Sequence, residues 1–347
     1  MRFPAGGSIR CAGAGLAAIA LAVALSACSR GNPTPTVAAT QPPADSPSAS
    51  PSPSPPPAMV GVTTGGALVT LSPSTGAVLK TLVPSGVIGD EVSVAPGGLV
   101  YFAVKNGCSS NIEEMPVTGG NVAVIVAGSL PAVSPDGTKL AYANQPSLTA
   151  GCVPNSPNLA ALYHVAIRNL SRAATLSLPD LPAGQDGGLP RPISHLSWSA
   201  DNQHLAVSVT QTQDNEGWSL TLLDTAQAQF YLGGVGVVTV PPTGSPSAQQ
   251  SYLSEGVYMP DGNLFVSRAC CAGFPVNNTS RLMWEVDTSG ALVHQVAVGF
   301  ANLAHTSLSV SSDGKWLLYL AGHDLYVSQG GATPTKLRSG LIAAAWG

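Results

Sequence analysis

Charge is scarce in this 347-residue chain, as are aromatic residues: 9% of residues are charged and 5% aromatic, where ordinary globular domains carry about 25% charged residues. Fourteen basic residues face eighteen acidic ones, for a net charge of −4. Two of the basic residues, Arg2 and Arg10, lie in an amino-terminal leader, and their removal takes the net charge to −6. No basic field remains to neutralise phosphates, so nucleic acid is excluded as a partner. Aspartate is too sparse for a calcium loop. There is no Gly-x-Ser-x-Gly elbow, no His-Glu-x-x-His helix and no glycine-rich phosphate loop. Accordingly no catalytic residue, cofactor or metal ligand is assigned, and an enzyme is the less favoured reading. Past the leader no stretch sustains a 3.6-residue apolar period, which removes helical folds from consideration.

The amino end holds a location signal. Arg2 and Arg10 precede an apolar run over residues 12–27, the layout of a secretory leader. The run ends in Leu25-Ser26-Ala27-Cys28, which resembles a bacterial lipobox. That resemblance implies cleavage before Cys28, attachment of lipid to it, and a chain held on the outer face of the cell membrane. An ordinary signal peptide or an uncleaved anchor is the alternative, although sixteen residues is slightly short for a span. Residues 29–58 contain ten prolines, no aromatic residue, and only Arg30 and Asp45 as charges. Such a segment cannot bury a core and favours extended conformations. It reads as a spacer reaching up to roughly 90 Å at about 3.1 Å per residue.

The remaining residues, 59–347, carry one unit five times. Its clearest copy is 133–143, where Ser134-Pro135-Asp136-Gly137 separates two apolar alternations. Asp-Gly between alternating runs is a strong hairpin signal, because glycine accepts positive φ and aspartate can hydrogen-bond the turn backbone. The equivalent turn residues Pro96, Pro135, Ala200, Pro260 and Ser312 are 39, 65, 60 and 52 residues apart. A core of about 40 residues with insertions is the period of a four-stranded propeller blade.

The expected architecture is therefore all-β: a six-bladed propeller of four-stranded antiparallel blades, with five or seven blades as alternatives. Blade one takes 59–84 together with 341–347, and the others run over 88–127, 129–179, 191–240, 250–299 and 303–340. Pairing the carboxyl-terminal segment with 60–63 closes the ring by joining the two ends of the domain. Counting back from the turn aspartate, inner-strand positions minus five and minus three are mostly bulky, and minus four and minus two mostly small. Small residues are expected where blades converge on the axis. Long inserts at 106–111, 145–160, 210–216 and 268–280 fall on one face, which becomes the favoured recognition surface. The Asp-Gly turns occupy the other face, expected to be plainer.

On the motif Ser-Pro-Asp-Gly-x-x-Leu-Ala-Tyr at 134–142, and Ser-Ser-Asp-Gly-Lys-Trp-Leu-Leu-Tyr at 311–319, the chain resembles the WD40-like β-propeller repeat group typified by the carboxyl-terminal domain of TolB. That resemblance spans most of 88–340 and implies protein or ligand contacts, with no catalytic activity. The departures from it are Gly97-Gly98 and Asp201-Asn202.

Two sets of side chains carry possible chemistry. After loss of Cys11 and lipidation of Cys28, four cysteines remain. In an exported protein Cys108, Cys152, Cys270 and Cys271 are disulfide candidates, with Cys108–Cys152 favoured because both occupy corresponding inserts of neighbouring blades. Glu91, His195 and Glu255 share the minus-six position at the entrance of inner strands, with Asp90 and His305 nearby. In a closed ring these five reach the mouth of the central channel, where they could hold a cation, a polar ligand or a basic side chain; capping of strand ends is the plainer role. The functional expectation is a non-catalytic envelope lipoprotein that binds a protein or glycan through its insert face, helped by aromatic residues such as Tyr163, Trp218 and Phe274. The alternative is a propeller enzyme, a lyase or glycan hydrolase, which a tight cluster at the channel mouth would favour.

Overall fold

The computed structural model describes residues 58–106, 109–144, 164–178, 193–209, 219–226, 229–231, 237–239, 250–269, 282–298, 305–330 and 332–347. Every regular element among them is a strand, and the strands form six antiparallel sheets. The first sheet contains β1 (Met59–Thr63), β2 (Leu68–Leu71) and β3 (Val78–Val83). The second is β4 (Val87–Val94), β5 (Leu99–Asn106), β6 (Ser109–Pro116) and β7 (Ala123–Ala127). The third is β8 (Ser129–Val133), β9 (Lys139–Asn144), β10 (His164–Asn169) and β11 (Thr175–Ser177). The fourth is β12 (Ile193–Trp198), β13 (His204–Val209), β14 (Ser219–Asp224) and β15 (Gln229–Tyr231). The fifth holds β16 (Val237–Thr239), β17 (Gln250–Tyr258), β18 (Leu264–Ala269), β19 (Leu282–Val286) and β20 (Leu292–Val298). The sixth is β21 (His305–Val310), β22 (Trp316–Ala321), β23 (Asp324–Gln329) and β24 (Thr335–Ser339).

The last strand, β25 (Leu341–Trp346), does not join the sixth sheet. It pairs antiparallel with β1, Met59 opposite Trp346 and Val62 opposite Ala343. The chain's last strand is thus the inner strand of the blade that holds its first, as the expected ring closure requires. Blade boundaries follow the sequence reading with one correction. Residues 237–239, assigned in advance to the fourth blade, pair instead with the start of β17, Val237 opposite Tyr252. The fifth sheet consequently has five strands.

The repeated turn explains itself at the level of single atoms. Ser134 donates its hydroxyl to Asp136 Oδ1 (2.6 Å) and accepts the Lys139 N–H on its own Oγ (2.9 Å), while Thr138 N–H donates to Asp136 Oδ1 (3.0 Å). Ser311 and Asp313 repeat the arrangement, with Trp316 N–H on Ser311 Oγ at 2.9 Å. Ser199 and Asp201 do so as well, with His204 N–H on Ser199 Oγ at 2.9 Å. The residue after the aspartate is left-handed, at φ 71° in Gly137 and Gly314. Asn202 takes the same conformation, φ 59°, and asparagine is among the few side chains that tolerate it. The departure at Asp201-Asn202 therefore preserves the turn.

The hydrophobic core is divided into six seams, one between each pair of neighbouring blades. Leu205, Val207 and Trp198 of the fourth blade meet Ala141, Val165 and Ile167 of the third. The joint between the last and first blades is equally apolar, with Leu318, Leu320 and Leu325 against Met59, Leu71 and Trp346. Alternation along each strand supplies both faces of a blade, so each sheet contributes to two seams.

Candidate functional site

Six inner strands, β4, β8, β12, β17, β21 and β25, surround a cavity of about 480 Å³ that every blade lines. One end is bounded by the exposed turn residues Pro96, Pro135, Ala200, Pro260 and Ser312, and the other by Glu91, His195 and Ser307, all buried. The turn face, expected to be plain, is thus where this axial cavity opens. Of the four expected inserts, 106–111 is a tight hairpin, with Asn106 opposite Ser109 and Val104 opposite Asn111; 145–160, 210–216 and residues 270–280 lie outside the described residues, as do Tyr163, Trp218, Phe274, Cys28, Cys108, Cys152, Cys270 and Cys271.

A recurring bulge positions the buried end. The register with the neighbouring strand slips between Ile88 and Val92, Ser129 and Ala132, Ile193 and His195, Leu253 and Glu255, and Thr306 and Ser309. The β1–β25 pair slips at the corresponding end. A bulge adds a residue and re-aims the side chains beside it. Two of these bulges contain left-handed non-glycine residues, Leu130 (φ 54°) and Ser307 (φ 52°).

Three of the five expected channel residues come together there. His195 donates Nδ1–H to Glu91 Oε1 at 2.7 Å, linking the second and fourth blades. Glu255 of the fifth blade accepts the Leu308 N–H from the sixth on Oε2 at 3.2 Å. The three side chains belong to residues only 6%, 5% and 7% exposed for Glu91, His195 and Glu255. Asp90 and His305 stand on β4 and β21, but their side chains lie outside the described set. Among the described residues no group of three or more His, Cys, Asp or Glu side chains is arranged to hold a metal ion.

Burial and charge act oppositely on this cluster. Burial alone would depress the His195 imidazolium, yet the Glu91 carboxylate, with help from Glu255, overrides it and lifts the pKa to about 9. Burial raises Glu255 to about 7 against the opposing pull of His195 and the Leu308 N–H, with Glu91 reinforcing the rise. At neutral pH His195 therefore holds its proton as an imidazolium. With Nδ1 bound to Glu91, His195 Nε2 is buried and has no hydrogen-bond partner among the described residues.

The small residues of the inner strands have a second role that alternation alone did not disclose. Ser93 Oγ accepts the Val133 N–H (3.0 Å), Ser197 Oγ the Tyr258 N–H (3.0 Å) and Ser309 Oγ the Trp346 N–H (3.1 Å). Each bond runs from one blade to the next, and together they tie blades two to three, four to five and six to one. The innermost strand of a blade has an unpaired edge toward the axis, and these serines satisfy part of it. Between the third and fourth blades Trp198 does the work, donating Nε1–H to Ala132 O at 2.9 Å.

No family model matches the sequence, and no curated protein matches it. Among solved structures, TolB from Acinetobacter baumannii superimposes with a TM-score of 0.55 at 12% identity, over 83% of this chain and 65% of that one. The likeness is one of fold. This chain thus spans less than two thirds of the length of the Acinetobacter TolB. The β-propeller domain of Cps50 (Swd1) from Myceliophteria thermophila is also similar, with a TM-score of 0.45 at 12% identity over 84% of this chain and 83% of that one.

Sequence reasoning missed Ser307, Leu130 and the bulges. Ser307 and Leu130 occupy the same minus-six position as Glu91, His195 and Glu255, so extending the alignment one step in the remaining blades would have found them. The bulge has no residue-type signature here, because glutamate, histidine, leucine and serine all occupy it.

Proposed function

We propose that the chain is a non-catalytic binding propeller of the bacterial envelope, anchored by lipid on Cys28, which engages an envelope protein or a glycan. The observation that carries the binding reading is the axial cavity: all six blades contribute to it, and it opens at exposed turns and ends on a buried polar floor. This favours the axis and the turn face as the contact site over the insert face expected from loop length. The Pro-rich segment 29–58 acts as the spacer and 59–347 as the propeller head. Export favours the cysteine pairs as disulfides, Cys108–Cys152 first.

The enzyme alternative gains one point from the tight Glu91–His195 pair, since a carboxylate-oriented imidazole is the arrangement general-base catalysis uses. Its raised pKa of about 9 counts against that role. A base must be unprotonated at working pH, and this imidazole holds its proton.

A photo-cross-linking amino acid placed at Ala200 on the turn face, in cells carrying either Cys28 or Cys28→Ser, tests the reading. An adduct formed in the membrane fraction and lost with Cys28 supports an anchored binding protein. Absence of any adduct, with turnover of a glycan or uronate substrate by the purified protein, refutes it.

A further inference from the structure

The fifth sheet differs from the other five on its axial side. An inner strand turns one edge toward the axis, and in five blades no strand among the described residues covers that edge. β17 has a neighbour there. β16 pairs along it, Val237 opposite Tyr252, Val238 opposite Ser251 and Thr239 opposite Gln250. These pairs lie past the buried floor. Glu255 is at position minus six and Tyr252 at minus nine, so at about 3.3 Å per residue β16 begins roughly 10 Å beyond Glu255, toward the insert face. The axial cavity stops short of it: the walls end at Glu91, His195 and Ser307, and no residue of 237–239 or 250–256 lines them.

β16 is lightly held. β18 ends at Ala269, opposite Tyr252. Ser251 and Gln250 therefore have β16 as their one strand neighbour among the described residues. Two of the three β16 pairs thus form a ribbon of two strands with no third beside it, and such ribbons are marginal in water. β18, between β17 and β19, is paired on both edges, and Leu264, Phe265 and Val266 are fully buried. Segments so different in support open in separate steps, the lightly held one far more often.

We infer that β16 gates the insert end of the axial channel. In place, it leaves the cavity blind, with the turn face as its entrance. Released from β17, it joins the cavity to the insert face past the level of Glu91, His195 and Glu255. A ligand thus meets a closed-ended pocket in one state and an open channel in the other. The gate rests on the reading that the axis is the contact site, and adds how access to that site is controlled.

Amide hydrogen exchange in the purified protein, resolved by NMR, tests it. In the wild type the paired amides of 237–239 should exchange at least about a hundredfold faster than those of Phe265 and Val266. Replacing Val237 and Val238 together by proline releases the strand. Successive N–H groups of a strand point to opposite edges, so one of these two faces β17, and proline has no N–H to offer. The Leu308 N–H, which donates to Glu255 Oε2 at 3.2 Å, reports water at the floor. Its exchange should quicken about tenfold in the proline variant. Phe265 and Val266 should stay as slow as in the wild type, which separates opening of the gate from unfolding of the blade. Amides of 237–239 as slow as those of β18 in the wild type, or unchanged Leu308 exchange in a folded proline variant, overturns the gate. Either result beside a cross-link at Ala200 would leave the axial contact standing and remove the gate alone.

Discussion

The buried cluster makes the propeller's stability depend on pH in an unusual direction. Glu255 has a folded-state pKa of about 7, raised by burial from an ordinary 4.5. Between those values the folded chain binds a proton that the unfolded chain has released, so stability falls as pH rises. The difference of 2.5, at about 1.4 kcal/mol per unit, amounts to roughly 3 kcal/mol lost between pH 4.5 and 7. His195 continues the same trend. Its pKa is raised from 6.5 to about 9, so its contribution is complete below 6.5 and disappears as pH rises through 9. The turn aspartates act oppositely and at lower pH. Asp313 is held below its usual value by the Ser311 hydroxyl and the Lys315 N–H, and its contribution is lost only as pH falls through that depressed value. Maximal stability is therefore expected near pH 4, above the ordinary aspartate value of 3.8 and below the 4.5 at which the Glu255 contribution begins to fall. Urea denaturation midpoints measured from pH 4 to 9 on the wild type and on Glu255→Gln provide the assay. The glutamine retains an acceptor for the Leu308 N–H and cannot ionise, so the decline between pH 4.5 and 7 should vanish and the later one remain. Parallel profiles for the two proteins would refute this account of the cluster.

Other perturbations probe the ring. Deleting 341–347 removes the inner strand of the first blade, with its buried Leu341, Ala343 and Trp346; the expected result is loss of a cooperative thermal transition, seen by circular dichroism. Gly256→Ala would place a Cβ 2.5 Å from Leu220 Cδ2, and such overpacking should cost about 1–3 kcal/mol in the urea midpoint. Asn202→Ala loses both a residue suited to φ 59° and the bond from the Asp136 N–H to Asn202 Oδ1 (3.1 Å), a combined cost of about 2 kcal/mol. Replacing Ser93, Ser197 and Ser309 together by alanine should lower stability by roughly 1 kcal/mol per site; because the three bonds lie at different blade joints, the single variants should sum to the triple.

Much of this architecture is legible in the residues because its determinants are local. Asp136-Gly137 and Asp313-Gly314 fix hairpins through side chain to backbone bonds within five residues, and their spacing reports the blade period. The terminal pairing of β25 with β1 was also readable, since 59–84 lacks an inner strand and 341–347 supplies one. The extra β16 was not, because a three-residue strand of Val-Val-Thr carries no sign of which neighbour it joins. At the site, a shared offset from the turn placed Glu91, His195 and Glu255 in one ring. Their contact across blades depends on the bulges, which no residue type announces. The small residues at minus four were expected from steric crowding at the axis. Their alternation of serine with apolar residues around the ring has a different cause, the hydrogen bonds to the next blade. Insert length reports exposed loop surface and says nothing about the width of the channel between the turns, so the cavity at the turn face had no sign in the sequence.

The proposed binding role of the axial floor, set against general-base catalysis, turns on the protonation state of the His195 imidazole. Titration of the His195 ring by long-range ¹H–¹⁵N NMR from pH 5 to 10 measures it directly. The account predicts an imidazolium through neutral pH with a midpoint of about 9. A midpoint at or below the ordinary 6.5 would make His195 a neutral base beside Glu91 at working pH, contradict the account, and return the site to catalysis.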